Sequence, residues 1–306
     1  MSVFINAQDK WGDTPLHLSL RYSRREAVEF LLRNGANPNL SNVKDGFTPL
    51  HVICNNFHSE NLVETFFQIW DEKHLPVLVN AIDKIGRTPL HWAVANFLLH
   101  AVDLLLDHGA NISRFDFPTE TYYGAELKQD CHITVKMERA SRALSILESL
   151  ENRGYEMNRS DALTVMQFLA ECRLLDKSEE LEKCFFDNEE FAKVAKKEMV
   201  KPNLSLYDLI QLRPGEAAKL ITFKKYCRIA FLVRTCDLPE RYIEACALHL
   251  CEKMSRGFFR SWAIESFMKL TRYRLPLECC DLIIDESLTN KDLYSIFLAA
   301  TSQSSS

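Results

Sequence analysis

Apolar residues along this chain recur at helical spacing far more often than they alternate. Val28, Leu31 and Leu32 fall on one face of a segment from Glu26 to Arg33. Val102, Leu105 and Leu106 do the same between Leu98 and Asp107, and a similar stretch runs from roughly Asn61 to Ile69. Ala143 to Leu150 repeats the pattern. Beyond Arg213 the chain is a succession of helices: Pro214 starts one, Pro239 starts another and Gly257 separates a third. Little in the sequence has the period of a strand, so the pattern predicts an all-α fold.

Polar punctuation between the first helices is self-similar. Asp9-Lys-Trp-Gly-Asp-Thr-Pro-Leu-His17 is followed by Lys44-Asp-Gly-Phe-Thr-Pro-Leu-His51 and Asp83-Lys-Ile-Gly-Arg-Thr-Pro-Leu-His91. Thr14 and Thr48 lie 34 residues apart, and Thr48 and Thr88 lie 40 apart. The extra length of the second unit is expected as a loop between Trp70 and Val79, beside Pro76. Each threonine suits a helix N-cap, and the proline after it suits the first helical turn, where a missing N–H costs nothing. Gly35 and Gly109 end the outer helices, while Gly12, Gly46 and Gly86 serve the turns.

This pattern resembles the ankyrin repeat, which has a period of about 33 residues and a Thr-Pro-Leu-His signature. The resemblance is sharp over residues 1–113. Phe4-Ile5-Asn6-Ala7-Gln8-Asp9 looks like the tail of a preceding repeat, compared with Val79-Asn80-Ala81-Ile82-Asp83. The array therefore starts without a polar cap: either a segment precedes it, or its apolar end is covered. It then decays across residues 114–250, with an insertion near 114–137 that holds Pro118, Tyr122, Tyr123 and Gly124. Gly154 to Asn158 mirrors Gly35 to Asn39, Ser160-Asp161 is expected to cap a helix through Ala170, and Leu204 to Leu209 echoes the signature. Degenerate repeats and an unrelated helical domain both fit this stretch.

The C-terminal region carries Leu275-Pro276-Leu277-Glu278-Cys279-Cys280-Asp281-Leu282-Ile283-Ile284, then Leu288 and Asp292-Leu293. It resembles an F-box core, and ankyrin repeats with such an end resemble the poxviral-type ankyrin proteins, whose C-terminal module is called PRANC. That resemblance places the module at residues 251–301; residues 302–306 are expected to be a disordered tail. It implies an ankyrin-repeat solenoid with short β-hairpins, continuing into a helical bundle with an F-box-like C-terminus. It also implies that Leu275, Pro276, Glu278, Ile283, Ile284 and Leu293 contact the Skp-type adaptor of a cullin–RING ubiquitin ligase. The residues also allow a plainer reading: an amphipathic helix with Pro276 in its first turn and Leu282, Ile283 and Leu288 facing a core.

Composition narrows the function classes. The 306 residues carry a formal charge of −5, which makes no global case for nucleic acid or an anionic membrane. Arg256, Arg260, Lys269, Arg272 and Arg274 are not contiguous and are expected on solvated helix faces. No apolar run reaches membrane-spanning length, and the first ten residues lack the features of a signal peptide, so a cytosolic or nuclear protein is expected. Ten dispersed cysteines without a Cys-x-x-Cys spacing are expected reduced and mostly buried. No metal-ligand spacing, phosphate loop or nucleophile elbow occurs, so no cofactor and no catalytic residue is assigned.

Binding is the function left. By the ankyrin resemblance, a protein target is gripped by the hairpin tips Lys10, Trp11, Asp13, Lys44, Asp45, Phe47, Lys84, Ile85 and Arg87. The inner-helix face adds Arg21, Tyr22, Asn55, Asn56 and Asn96. Trp11 has a second reading, packing on its neighbouring hairpin or covering the open end. His17, His51 and His91 are expected to bond the turn backbone rather than a metal. The chain is thus expected to be a monomeric, non-catalytic adaptor. It would join a captured protein to a ligase, or else act as a plain ankyrin scaffold or inhibitor that sequesters a signalling protein.

Overall fold

Each Thr-Pro-Leu-His segment opens a short helix that pairs with a longer one. A computed structural model of the protein describes residues 2–56, 60–119, 122–124, 131–176 and 189–303. After α1 (Ser2–Ile5), the pairs are α2 (Pro15–Arg21) with α3 (Arg25–Arg33), α4 (Pro49–Cys54) with α5 (Glu60–Lys73), and α6 (Pro89–Ala95) with α7 (Leu99–Asp107). Leu16, Leu20, Leu50, Ile53, Leu90 and Val94 are buried on the inner helices, against Val28, Leu32, Val63, Phe66, Val102 and Leu105 on the outer ones. Each such side chain contributes about 1.5–3 kcal/mol of hydrophobic stabilisation.

The histidines join one repeat to the next. The Thr14, Thr48 and Thr88 N–H groups donate to Nδ1 of His17, His51 and His91 at 3.2, 3.2 and 3.1 Å. A backbone N–H can only donate, so Nδ1 is unprotonated and the ring proton sits on Nε2. From there His17 donates to the Phe47 carbonyl at 2.9 Å, and His51 to the Arg87 carbonyl at 3.1 Å. A second ladder runs through asparagines. Asn6 accepts from Asn37 N–H at 2.7 Å, Asn39 from Leu78 at 2.8 Å and Asn80 from Asn111 at 2.8 Å.

The chain divides into two compact units: Met1–Leu127 with Ile146–Glu156, and Lys128–Ser145 with Met157–Ser306. Helix α8 (Ile133–Asn152) lends its last turns to the first unit. It ends as α3 and α7 do. Gly35, Gly109 and Gly154 stand at φ +92°, +88° and +91°. The residue after each glycine bonds back five positions, to Leu31, Leu105 or Leu150. Tyr155 then packs edge-on against Phe115, with ring centroids 5.4 Å apart.

In the second unit α9 (Arg159–Glu171) and α10 (Glu189–Ala195) lead to β1 (Met199–Lys201), which pairs antiparallel with β2 (Leu204–Ser205). Then come α11 (Leu206–Gln211), α12 (Pro214–Leu220), α13 (Phe223–Thr235), α14 (Glu240–Leu270), α15 (Leu277–Ser287) and α16 (Asn290–Gln303). Ser205 and Asp208 cap α11 reciprocally, doing there what threonine and histidine do in the repeats. The long α14 packs against α12, α13, α15 and α16. Its Ala245, Cys246 and Ala247 are fully buried, as are Phe259, Leu293 and Phe297.

The fold is all-α, as the periodicity predicts, with several local corrections. Gly257 does not divide two helices; it lies inside α14, whose buried stripes on either side outweigh the roughly 1 kcal/mol that glycine costs a helix interior. Asn158, not Ser160, caps α9, because its side chain reaches the N–H groups of Ser160 and Asp161. The added length of the second repeat goes partly into α5, which continues past Ile69 to Lys73. On α15 the buried side chains are Cys280 and Ile284, whereas Leu282 is 63% exposed and Ile283, like Leu288 just past the helix end, is half-buried. Residues 302–303 of the expected tail instead continue helix α16, while 304–306, and residues 120–121 and 125–130 of the expected insertion, lie outside the described residues.

Arg256 is also corrected: it is buried, not solvated. Its guanidinium donates to the Ile284 carbonyl and, at 3.2 Å, to Asn290 Oδ1. Lys253, one turn earlier, is buried and donates to the Leu212 carbonyl, and His249 meets the Ile210 carbonyl at 3.0 Å. Cationic groups on α14 therefore cap the carboxyl ends of α11 and α15, where helix dipoles favour positive charge.

Candidate functional site

The three hairpins are shaped by side chains that bond their own turns. Asp9 Oδ1 accepts the N–H groups of Trp11 and Asp13, both at 2.9 Å. Asp83 does the same for Ile85 and Arg87. In the middle hairpin Asn42 plays this part, but for Asp45 and Phe47, one position further on each side. This hairpin is one residue longer, and Val43 in it is exposed.

Between these hairpins and the inner helices lies an open groove of about 750 Å³. It is lined by Trp11, Asp13, Arg21, Tyr22, Lys44, Asp45, Phe47, Val52, Asn55 and Asn56. Most of the sequence-predicted target residues thus come together in one place. Val52, buried in its floor, was not predicted. As an apolar residue on a helix face it gave no signal apart from core.

The groove combines fixed and unused groups. Asp13 is only 4% exposed, held by both guanidinium nitrogens of Arg21 at 2.5 and 3.1 Å and by Asn42 at 2.9 Å. Burial alone would raise the Asp13 carboxyl; the Arg21 and Asn42 bonds outweigh it and hold the group below the usual carboxylate range. Phe47 stacks on His51 at 5.5 Å and meets Trp92 edge-on at 5.4 Å, so one ring face is fixed from behind. Tyr22 is 66% exposed, and Asn55 and Lys44 are also exposed.

Some predicted residues stand elsewhere. Asp13 lines the groove but is buried, its carboxylate bonded to Arg21 and Asn42. Asn96 is buried and donates to the Cys54 and Trp92 carbonyls, which removes it from the binding set. Arg87 lies 3.5 Å over the Tyr122 ring and 5.0 Å from that of Trp92, outside the groove. Lys10, Lys84 and Ile85 are exposed on the tips, with Lys10 4.2 Å over the Trp11 ring. Among the C-terminal candidates, Pro276 and Glu278 are exposed and Leu275 and Ile283 half-buried. Ile284 and Leu293 are fully buried in their own unit and cannot form a contact surface.

Among the described residues no three His, Cys, Asp or Glu side chains gather as a metal site requires, and no helix is long and apolar enough to cross a membrane. The family model for ankyrin repeats, in three copies, matches residues 2–72 and 41–116. Neurogenic locus notch homolog protein 1 of Mus musculus is 34% identical over 110 residues, which is 36% of this chain and 4% of that protein. Its counterpart in Homo sapiens is 33% identical over the same length. Inversin of Homo sapiens is 35% identical over 113 residues, 37% of this chain and 10% of inversin. The chain therefore spans a small fraction of the length of these relatives. Sequence motif, hairpin geometry and family match agree that residues 2–116 of this chain are ankyrin repeats.

Proposed function

We propose that this chain is a non-catalytic protein-binding module whose first unit grips a target protein in the groove between its hairpins and inner helices. One observation carries the reading: the groove presents the aromatic rings of Trp11, Tyr22 and Phe47 together with the exposed polar ends of Lys44 and Asn55. Aromatic anchors beside adaptable polar groups are what binding hot spots are built from. Capture of partners by the full chain, compared with Tyr22→Ala, tests this. Loss of affinity by about tenfold or more is expected; unchanged capture contradicts it.

A finer reading adds a role for the second unit, recruitment of a Skp-type adaptor of a cullin–RING ligase. It is supported by the exposed run of Pro276, Leu277, Glu278 and Cys279 with Leu282 one turn on. Ile284 and Leu293 take no part in it. Purified full chain should bind the purified adaptor, and Leu277→Asp with Leu282→Asp should abolish binding without unfolding the chain. Equal binding by the double variant rejects this reading and leaves a plain ankyrin scaffold.

A further inference from the structure

The outer edge of the hairpins extends past the groove and shares Trp11 and Lys44 with it. Trp11, Val43, Ile82 and Ile85 are 51%, 65%, 67% and 64% exposed. Single exposed apolar side chains need no explanation, but several on adjoining turns suit an interaction surface. The tips that carry them are tied edge to edge. The Trp11 carbonyl accepts from Val43 and Lys44 N–H at 2.8 and 3.3 Å, and the Asp45 carbonyl accepts from Lys84 N–H at 3.0 Å.

The same edge is positively biased. Lys10, Lys44 and Lys84 each stand two residues before a tip glycine, and none forms an ion pair among the described residues. The Lys84 ammonium donates to the Val43 carbonyl, beside the apolar row. Of the nearby carboxylates Asp13 and Asp83 are buried, and Asp9 has an oxygen committed to its turn. Asp45 is half-buried at the groove side.

We infer that this edge binds an amphipathic segment of the partner protein, with an aliphatic stripe on the Trp11–Ile85 row and flanking carboxylates on the tip lysines. This rests on the protein-binding reading above and names the chemistry of the partner. Opposite charge along such a strip sets orientation and association rate, and its contribution falls with salt.

The test uses the full chain and two labelled synthetic helical peptides of equal length. They share one leucine stripe; one is flanked by glutamates, the other by lysines. Fluorescence anisotropy should show the glutamate peptide binding roughly tenfold tighter or better, and more weakly as salt rises. Ile85→Ser and Lys44→Glu should each weaken it about tenfold. Equal affinity for both peptides, or no binding of either, overturns the inference. So does binding to phosphatidylserine vesicles without binding to the glutamate peptide. If the peptides fail while Tyr22-dependent capture persists, the edge inference falls alone; if both fail, the protein-binding reading falls with it.

Discussion

Three imidazoles and one asparagine set the local chemistry of the array. Burial depresses the affinity of His17, His51 and His91 for a second proton, most directly by desolvation. In the unfolded chain these rings take up protons as pH falls through about 6.5, while in the fold they resist. Their contribution is therefore fully present above that value and is lost as pH falls below it. Each ring removes up to about 1.4 kcal/mol per pH unit while only the unfolded form is charged. Urea melts of the full chain between pH 7 and pH 5 should show the first unit weakening; a flat profile contradicts this. Asn42 makes a separate point. Asn42→Asp would keep the turn bonds that Asp9 and Asp83 make, but would set a carboxylate against Asp13, which Asn42 now meets at 2.9 Å. The variant should be destabilised at pH 7, and less so in acid as a carboxyl protonates, as thermal melts at both pH values would show.

Among the elements, the hairpins and the long helix α14 show how much one position can hold. Gly12 stands at φ +80°, and a Cβ there would lie 2.5 Å from Val43 N. Gly86 stands at φ +81° with nothing near the same place. Gly86→Ala should lose only the left-handed penalty, roughly 1–2 kcal/mol, and Gly12→Ala distinctly more, since the next hairpin must also move. Equal losses in chemical melts would contradict this account of hairpin stacking. On α14, Gly257→Ala should stabilise by roughly 0.5–1 kcal/mol, because the position is helical and open to a methyl group. Arg256→Met should destabilise by roughly 2–3 kcal/mol, leaving the Ile284 carbonyl buried without its donor. The sequence showed the helix starts at Thr14, Thr48 and Thr88 because a capping threonine and its proline act locally. It could not show that Gly257 is interior, since long-range packing decides whether one glycine breaks a helix. The asparagines at 6, 39 and 80 were visible and periodic, but their bonds span neighbouring repeats.

Taken whole, the molecule joins an ankyrin array that is specific in its motif to a helical unit that is not. The candidate groove was legible to the extent that it follows repeat position: the tips and inner faces occur where the signature puts them. It was not legible where burial intervenes. Asp13 and Asn96 occupy positions that resemble binding residues, yet partners within the fold consume them. Ile284 and Leu293 likewise matched a contact motif by letter and lie in the core by packing. A short motif carries residue types; only the packed helix decides which of its faces is outside.

The most direct test of the central claim places a photo-crosslinking residue at Asn55, in the groove, or at Glu64, exposed on the outer helix α5. Both full-length variants are irradiated in the same cell extract. The account predicts a discrete crosslinked protein from Asn55 that is lost with Tyr22→Ala, and none from Glu64. Equal crosslinking from both positions, or a product from Glu64 alone, would contradict it.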